Sequence, residues 1–299
     1  MSSVALSRTA RGPRVLILVQ SGGVEPWLTI EQTAQEKYLN LLFQGRADVV
    51  FVQGNPDGDG DSFEKPGLRS VRKALKSTTS SNRLLRMMAR ALFASWRLQP
   101  FGLRRARTFF HTRFAGLTVV REGNRIVLPV PVQIHIAGLR TIETFRFALA
   151  EYDFDYVVRL GSTALVIPDS LEAFIESLPN DRVFGGVPME FGRRSFLSGA
   201  ALLLSRDVVE KVVEHEMAFP LGVYEDVGLS LLIESRDFAD FYAFPRVLVS
   251  EPADAEAAGL LSKNVSVIRC KAGPRTATAE PVIANMRAVM AVIAPNFET

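Results

Sequence analysis

The sequence has a single cysteine and three histidines among its 299 residues. Cys270 alone can form neither an internal disulfide nor a cysteine-rich zinc site, a usage typical of a reducing compartment. The histidines show no metal-like spacing; they are His111, His135 and His215. Apolar runs of the roughly 20 residues that a membrane-spanning helix needs are missing, and residues 1–13 lack the apolar stretch of a signal peptide. These absences predict a soluble, cytoplasmic protein.

Acidic residues are missing from one long segment. The chain carries 35 Lys and Arg against 32 Asp and Glu, but 14 of the basic residues and no acidic ones lie in residues 65–121. The rest of the chain is therefore acidic on balance. A segment of this kind usually meets a polyanion, such as phosphates, nucleic acid or an anionic membrane surface.

Residues 83–98 (RLLRMMARALFASWRL) within this segment have a helical pattern. At 100° per residue the arginines fall on one stripe, and the leucine, methionine and tryptophan side chains lie mostly opposite. Three interpretations stay open. The helix packs on the domain with solvated arginines, it lies in an anionic membrane interface as a peripheral membrane element, or its arginines surround substrate phosphates. Nucleic-acid binding is not expected, because interleaved aromatic side chains and known reader motifs are missing.

Strand and helix patterns alternate along the rest of the chain. Apolar runs next to breaker residues predict strands at 14–20, 48–52, 126–128, 155–159, 183–185, 196–204 and 246–249. Amphipathic patterns predict helices at 29–42, 141–150, 169–178, 206–216 and 226–235. This order predicts a single α/β domain over residues 1–299, a mixed or parallel sheet flanked by helices, with residues 65–121 as a basic helical insertion.

The carboxyl ends of the strands are where such sheets bind ligands, and three segments there are candidates. One follows the first strand (residues 20–23, QSGG), and another follows the strand at 155–159 (residues 160–163, LGST). The third is a run of small residues inside an apolar strand (residues 197–201, LSGAA), which indicates a close approach to the backbone.

Four motifs in order resemble those of the fringe-like and β1,3-glycosyltransferase group. They are DYVVR at 155–159, VFGG at 183–186, FLSGAALLLSR at 196–206 and EDVG at 225–228. Arg140-Thr141 stands where a Lys-Thr pair begins the helix before the aspartate strand of that group, and IRCK at 268–271, followed by Arg275, resembles its terminal basic block. The resemblance covers roughly half of the chain, centred on residues 152–233.

The resemblance implies a glycosyltransferase-A-like fold and a hexosyltransferase-like enzyme. Such an enzyme transfers a sugar from a nucleotide-diphosphate sugar to a glycan or lipid-linked acceptor, in this case with inversion. It implies that Asp226 is the general base for the acceptor hydroxyl, with Glu225 as a structural or acceptor-contacting neighbour. Helix capping is the alternative explanation of both carboxylates.

Further site residues follow from the same resemblance. Donor binding is assigned to Gln20, Ser21, Gly22, Arg140, Arg159, Gly161, Ser162, Thr163, Lys271 and Arg275. Acceptor binding is assigned to Trp27, Phe191, Ser198, Gly199 and Ala200, with burial as the alternative for the two aromatic side chains.

The chain departs from the family at the metal site. The family's aspartate cluster falls on Gly161, Ser162 and Thr163, and its late histidine falls near Val267. A divalent metal on a diphosphate needs charged oxygen ligands, so no bound metal and no other cofactor are predicted. The negative charge of the diphosphate is instead expected to be stabilised by cationic side chains. The literal Asp-x-Asp at 153–155 precedes its strand and is predicted to be a turn.

Two other classes of function remain open. The missing aspartates favour a non-catalytic relative that keeps the fold as a binding or scaffold module. The basic insertion at 65–121 favours a polyanion- or membrane-binding module, which would place the protein on the inner face of the membrane. Retention of Glu225, Asp226 and the basic residues favours the enzyme.

Overall fold

A computed structural model of the chain describes residues 13–21, 25–55, 119–131, 137–191, 194–220, 224–244, 246–260, 265–271 and 278–295. The predicted helix at 83–98 and nearly all of the insertion at 65–121 lie outside the described residues. Gly22 and Arg275 also lie outside them.

The described strands form one large and one small sheet. The large sheet has eight strands in the order β3-β4-β2-β1-β5-β8-β7-β9, and the small one has the order β10-β11-β6. The strands are β1 (Val15–Ser21), β2 (Asp48–Asn55), β3 (Val120–Glu122), β4 (Arg125–Pro131), β5 (Tyr156–Gly161), β6 (Ala164–Val166), β7 (Val183–Phe191), β8 (Arg194–Ser205), β9 (Asp240–Ala243), β10 (Arg246–Val249) and β11 (Val267–Cys270).

Pairing in the large sheet is mixed. Strands β4, β2, β1 and β5 are parallel neighbours, so their carboxyl ends share one edge of the sheet. Strand β8 runs antiparallel to β5 and to β7, and its amino-terminal half therefore passes that same edge. A mixed sheet flanked by helices confirms the predicted fold class.

The helices cover both faces of the large sheet. They are α1 (Trp27–Ile30), a π-helical turn (Glu31–Gln35), α2 (Glu36–Leu42), α3 (Ala137–Glu151), α4 (Pro168–Glu176), α5 (Arg206–Glu214), a 3₁₀ turn (Glu216–Ala218), α6 (Glu225–Arg236), α7 (Asp254–Ala257) and α8 (Glu280–Ile293). Helices α1, α2, α4, α7 and α8 contribute to one hydrophobic core, whereas α3, α5 and α6 contribute to the other. None of the helices that the structure describes is both long and apolar enough to cross a membrane.

The two cores explain why β1 is apolar at nearly every position. Ile17 and Val19 lie in one core and Leu16 and Leu18 in the other, all at most 1% exposed. A strand covered on both faces buries both of its side-chain rows, which gives a continuous apolar run rather than an alternating one.

The ring of Phe219 sets the contact between α3 and α6. A Cβ atom at Gly138 would lie 2.2 Å from Phe219 Cε1, and one at Gly228 would lie 2.9 Å from the same atom. Glycine at both positions lets the ring fit between the two helices. This packing brings the first turns of α3 and α6 together at the carboxyl edge of the sheet.

The Asp-x-Asp sequence at 153–155 lies at the opposite edge. The backbone N–H of Arg14 donates to Asp155 Oδ2 at 2.8 Å, and the Arg14 guanidinium forms an ion pair with Asp153. Both carboxylates therefore sit at the amino ends of β1 and β5, as a turn preceding the strand requires.

Candidate active site

The three candidate segments meet where β1 and β5 end. Gln20 of β1 is the register partner of Gly161 in β5, and Leu160 is the partner of Ala201 in β8. A Cβ atom at Gly161 would lie 3.3 Å from the carbonyl oxygen of Gly199, so the two backbones approach closely there.

A buried ion pair between Arg159 and Glu225 lies at the centre of this edge. The Arg159 Nε donates to Gln20 Oε1 at 3.0 Å, Nη1 donates to the Gly199 carbonyl, and Nη2 donates to Glu225 Oε2. Every nitrogen of the guanidinium therefore has a protein acceptor. Arg159 was expected to bind the donor diphosphate, but this arrangement suits it to fixing Gln20, Gly199 and Glu225 in place.

Two threonines of α3 complete the polar network. The Thr141 hydroxyl lies 2.5 Å from Glu225 Oε1 and 3.1 Å from Gln20 Oε1, and Gln20 Nε2 donates to Thr144 Oγ1 at 3.0 Å. Glu225 is 9% exposed and accepts hydrogen bonds at both carboxylate oxygens. This environment fits the structural one of the two roles expected of Glu225, and contact with the acceptor stays a prediction.

Asp226 lies in the first turn of α6 beside this network and is half-buried, whereas Glu225 is buried. Its Oδ2 accepts from the backbone N–H of Gly199 at 2.8 Å, and its Oδ1 accepts from that of Val227 at 2.9 Å. The first contact ties α6 to β8, and the second lies within the first helical turn. These bonds orient the carboxylate, and each oxygen keeps a further lone pair for a substrate proton.

Arg140 carries a buried positive charge whose guanidinium group is not fully hydrogen-bonded. Its side chain in α3 is 7% exposed, yet Nε and Nη1 are buried and have no hydrogen-bond partner. Burial lowers the pKa of the Arg140 guanidinium below its ordinary value, the nearby Glu225 carboxylate raises it, and the Arg159 charge lowers it again. Buried guanidinium groups are normally paired, so this one indicates an anion that the described part of the chain does not supply.

The loop at 161–163 is tethered from two sides. Gln35 of the π-helical turn donates through Nε2 to the carbonyls of Gly161 and Ala164, both at 2.8 Å. The Thr163 carbonyl accepts from the N–H of Cys270 at 2.8 Å. Single π-turns are frequent at functional sites, and here one fixes the loop that follows β5.

These residues do not fit a divalent metal. The segment offers a hydroxyl pair and backbone carbonyls, two of which already accept hydrogen bonds. Within the described part of the chain, no group of three or more His, Cys, Asp or Glu residues could hold an ion. Ca²⁺, Mg²⁺ and Mn²⁺ favour carboxylate oxygens, which the segment lacks.

Lys271 and Arg269 lie beside the same loop. Strand β11 pairs with β6 so that Arg269 is the partner of Ala164, and Lys271, just beyond the strand, donates its N–H to the Val249 carbonyl at 2.9 Å. The sequence singled out Lys271 but passed over Arg269. Arg269 could have been found from its position two residues before Lys271, because residues two apart in an extended segment place their side chains on the same face.

The residues proposed to bind the acceptor differ in their burial and in their distance from the centre of the site. Ser198 and Ala200 of β8 are buried, and Trp27 is half-buried at the start of α1, where it packs against the hydrophobic core. Phe191 ends β7, which runs parallel to β5, so Phe191 lies at the same edge of the sheet as the carboxyl ends of β1 and β5, two strands away from β5. Gly199 approaches the site most closely, since a Cβ atom there would lie 3.1 Å from both Arg159 Nη1 and Asp226 Oδ2.

A second buried carboxylate lies under the ends of β1 and β2. Glu31 of the π-helical turn is fully buried, accepts from Gln53 Nε2 at 2.7 Å, and lies 3.4 Å from Arg125 Nη1. Burial raises the pKa of the Glu31 carboxyl above its ordinary value, while hydrogen bonds from Ser21 and Gln53 and the Arg125 charge oppose the shift. The buried Ser21, assigned to the donor, therefore bonds to a protein group.

Replacing Glu31 by glutamine is expected to stabilise the protein at neutral pH. Because the folded state binds the Glu31 proton more tightly than the unfolded state does, stability is greatest below the ordinary pKa of 4.5 and falls as pH rises through the folded value. Glu31→Gln removes that loss. Urea unfolding at several pH values should show that the free energy of unfolding of Glu31→Gln increases relative to that of the wild type as pH rises. The exposed control Glu234→Gln should show the same pH dependence of stability as the wild type.

Comparisons with known proteins give likenesses of fold only. No family model matches the chain, and no curated protein matches it. A glycosyltransferase involved in glycosylation of the major capsid of PBCV-1 is 10% identical, with a TM-score of 0.45, covering 92% of this chain and 100% of that one. The galactosyltransferase LgtC with donor and acceptor sugar analogues is 11% identical (TM-score 0.38; 93% and 95% covered).

A third structure is the mannosyltransferase PcManGT from Pyrobaculum calidifontis with GDP-Man and Mn²⁺. It is 13% identical, with a TM-score of 0.39, and 79% of this chain covers 56% of that one. Likenesses at this level of identity and TM-score establish no activity for this chain. The fringe-like family therefore stays a prediction from the motifs.

Proposed function

We propose that this protein is a glycosyltransferase that uses a nucleotide-diphosphate sugar as donor and a glycan or lipid-linked molecule as acceptor. The observation that carries the proposal is the Arg140 guanidinium, which is buried at the carboxyl edge of the sheet with two nitrogens unpartnered. The motif resemblance supplies the class of donor, and Arg140 supplies a reason for an anion to bind there.

Arg140 is suited to a diphosphate. A planar guanidinium can donate two parallel hydrogen bonds to phosphate oxygens, and in a water-poor environment each is stronger than at the surface. Arg159, whose nitrogens are all engaged, holds Glu225 and Gln20 in place rather than the donor. Lys271 and the loop at 161–163 complete the donor side of the proposed site.

In the proposed reaction Asp226 accepts the proton of the acceptor hydroxyl. That oxygen attacks the anomeric carbon of the donor sugar, the bond to the diphosphate breaks, and the nucleoside diphosphate leaves with the electron pair. A single displacement of this kind inverts the anomeric centre. The two backbone N–H groups on Asp226 hold its carboxylate in the orientation that the proton transfer needs.

Cationic side chains replace the metal in this proposal. Residues 161–163 offer no carboxylate, whereas Arg140 and Lys271 can balance the charge that grows on the leaving diphosphate. The expected consequence is turnover that survives removal of divalent ions.

The test is release of nucleoside diphosphate from a panel of sugar nucleotides, with and without excess chelator. We expect equal rates in both conditions for the preferred donor. A strict requirement for manganese would overturn the metal-independent mechanism, and absence of turnover with every donor and acceptor mixture would count against the enzyme.

Arg140→Met is expected to weaken donor binding without lowering the stability of the ligand-free protein. Removing a buried unpaired charge should keep or raise the melting temperature of the ligand-free protein, because methionine fills the site without the burial penalty. The same change should weaken donor binding about tenfold or more, since charge-assisted hydrogen bonds are lost. Arg236→Met, at the far end of α6, is the charge-matched control and should leave donor affinity unchanged.

A non-catalytic sugar-nucleotide binder is the second candidate. It is favoured by Asp226, both oxygens of which already accept backbone hydrogen bonds, as in a helix cap. Donor binding that depends on Arg140 without turnover would support it. The polyanion- or membrane-binding role of residues 65–121 remains a prediction from the sequence, and so do the cytoplasmic location and the peripheral membrane association.

A further inference from the structure

Two arginines contain all the buried side-chain nitrogen atoms that lack a hydrogen-bond partner in the described part of the chain. Arg140 in α3 has two such atoms, Nε and Nη1, and Arg269 in β11 has one, Nε. Arg140 is 7% exposed and Arg269 is half-buried. Burial lowers the pKa of both guanidinium groups below the ordinary value. Because buried guanidinium nitrogens normally have acceptors, both groups indicate a bound anion.

Arg140 is joined to the start of the loop at 161–163 by hydrogen bonds. The Arg140 carbonyl accepts from the Thr144 hydroxyl at 2.7 Å, and Gln20 Nε2 donates to the same hydroxyl at 3.0 Å. Gln20 is the register partner of Gly161, the first residue of the loop. The backbone of Arg140 is therefore fixed beside the point where the loop begins.

Arg269 lies at the other end of the same loop. It is the register partner of Ala164, the first residue after the loop. The N–H of Cys270, the next residue in the chain, donates to the Thr163 carbonyl at 2.8 Å. Strand pairing and a backbone hydrogen bond therefore hold Arg269 against the loop, whatever its charge.

Gln35 holds the two ends of the loop close together. Its fully buried side chain donates through one nitrogen, Nε2, to the carbonyls of Gly161 and Ala164, both at 2.8 Å. The two carbonyl oxygens are therefore no further apart than twice that distance. Arginines attached to two ends that are this close can reach one and the same ligand.

We propose that Arg140 and Arg269 bind the two phosphoryl groups of one diphosphate across the loop at 161–163, each arginine binding a different group. The inference rests on the proposed function, because the diphosphate is that of the sugar-nucleotide donor. A planar guanidinium can donate two parallel hydrogen bonds to one phosphoryl group. Two such groups give a site that prefers a diphosphate to a monophosphate, and Arg269 joins the residues that bind the donor.

Inorganic pyrophosphate and uridine and guanosine diphosphate are the probes for this site. In calorimetry with the whole protein, Arg140→Met and Arg269→Met should each weaken binding of pyrophosphate and of the preferred nucleoside diphosphate about tenfold or more, because charge-assisted hydrogen bonds are lost. Arg269→Lys keeps the charge without the planar fork and should have an intermediate affinity. Arg236→Met, which removes an exposed charge at the far end of α6, should bind both probes like the wild type.

The matching nucleoside monophosphate tests whether each arginine has its own phosphoryl group. One of the two methionine variants should bind the monophosphate like the wild type and bind the diphosphate no more tightly than the monophosphate. The other variant should bind both nucleotides more weakly. Equal losses of affinity for both nucleotides in both variants would assign both arginines to one phosphoryl group and overturn the proposal. Unchanged binding of pyrophosphate and of the nucleoside diphosphate to Arg269→Met would also overturn it.

The proposed function can fail independently. If neither nucleoside diphosphate binds while pyrophosphate binding still depends on both arginines, the sugar-nucleotide proposal is wrong and the diphosphate site is supported. If a nucleoside diphosphate binds and depends on Arg140 but not on Arg269, the donor proposal is supported and the assignment of Arg269 is wrong. Absence of binding of all three probes to the wild type would overturn both.

Discussion

Asp226→Asn is expected to lower kcat by about 10²–10⁴-fold, the range of a positioned general base, while the Michaelis constant for the donor stays nearly constant. The amide has the size of the carboxylate and can still accept the hydrogen bond from Gly199, but it cannot take a proton at neutral pH. The measurement is steady-state release of nucleoside diphosphate at saturating donor and acceptor.

Helix capping makes a different prediction for the same variant. If Asp226 serves α6 alone, its replacement lowers stability by about 0.5–2 kcal/mol and leaves kcat intact in the folded fraction. Urea unfolding of the variant therefore accompanies the kinetics. Glu234→Gln changes a carboxylate at the other end of the same helix and should alter neither quantity.

A folded Asp226→Asn protein with full kcat would remove the base assignment. A loss of kcat that is proportional to the unfolded fraction of the variant would support the interpretation of Asp226 as a helix cap. A large loss of kcat in a variant of nearly normal stability would support only the interpretation of Asp226 as the general base.

The long elements of the fold could be predicted because their signal is local. Strands β1, β5 and β8 contain apolar runs at 15–19, 156–158 and 200–204, and nearly all side chains of these runs are buried. The short strands β3, β6, β9 and β11 were missed, since three or four residues carry little pattern and depend on their partners, although the equally short β10 was predicted. The apolar helix α8 was not assigned either, although its length is typical of a helix.

The site shows the same division between local and long-range information. The positions of Gln20, Arg159 and Glu225 at one edge followed from the order of strands and motifs. Their mutual pairing did not, because the acceptors of Arg159 lie far away in sequence at Gln20, Gly199 and Glu225. Arg159 therefore looked like a free ligand for phosphate, although each of its nitrogens is engaged.

Glu31 and Arg269 were missed for a related reason. In the helical pattern Glu31 reads as a solvated residue, and its burial depends on contact with Ser21 and Gln53 in two strands. Arg269 becomes notable only when β11 pairs with β6 and lies beside the loop at 161–163. Unpaired charge is a property of the assembled fold and has no signature in a linear sequence.

Arg159→Met is expected to destabilise the protein by about 3–5 kcal/mol, the range for removing one partner of a buried ion pair. The change leaves Glu225, 9% exposed, without its cation, and it also removes the donors to Gln20 and Gly199. Urea unfolding at neutral pH measures the loss, with Arg46→Met as the control. Arg46 pairs with Asp169 and Glu172 at the surface, where ion pairs contribute about 0–1 kcal/mol.

The double variant Arg159→Met/Glu225→Met distinguishes a buried charge from a lost contact. Because both ionised groups are then gone, we expect it to be more stable than Arg159→Met alone, as replacement of a whole buried pair by apolar side chains is often neutral. A double variant that is no more stable than Arg159→Met alone would mean that most of the stability lost in Arg159→Met comes from the hydrogen bonds to Gln20 and Gly199. In that case the guanidinium stabilises the edge through neutral acceptors, and Glu225 does not depend on its charge.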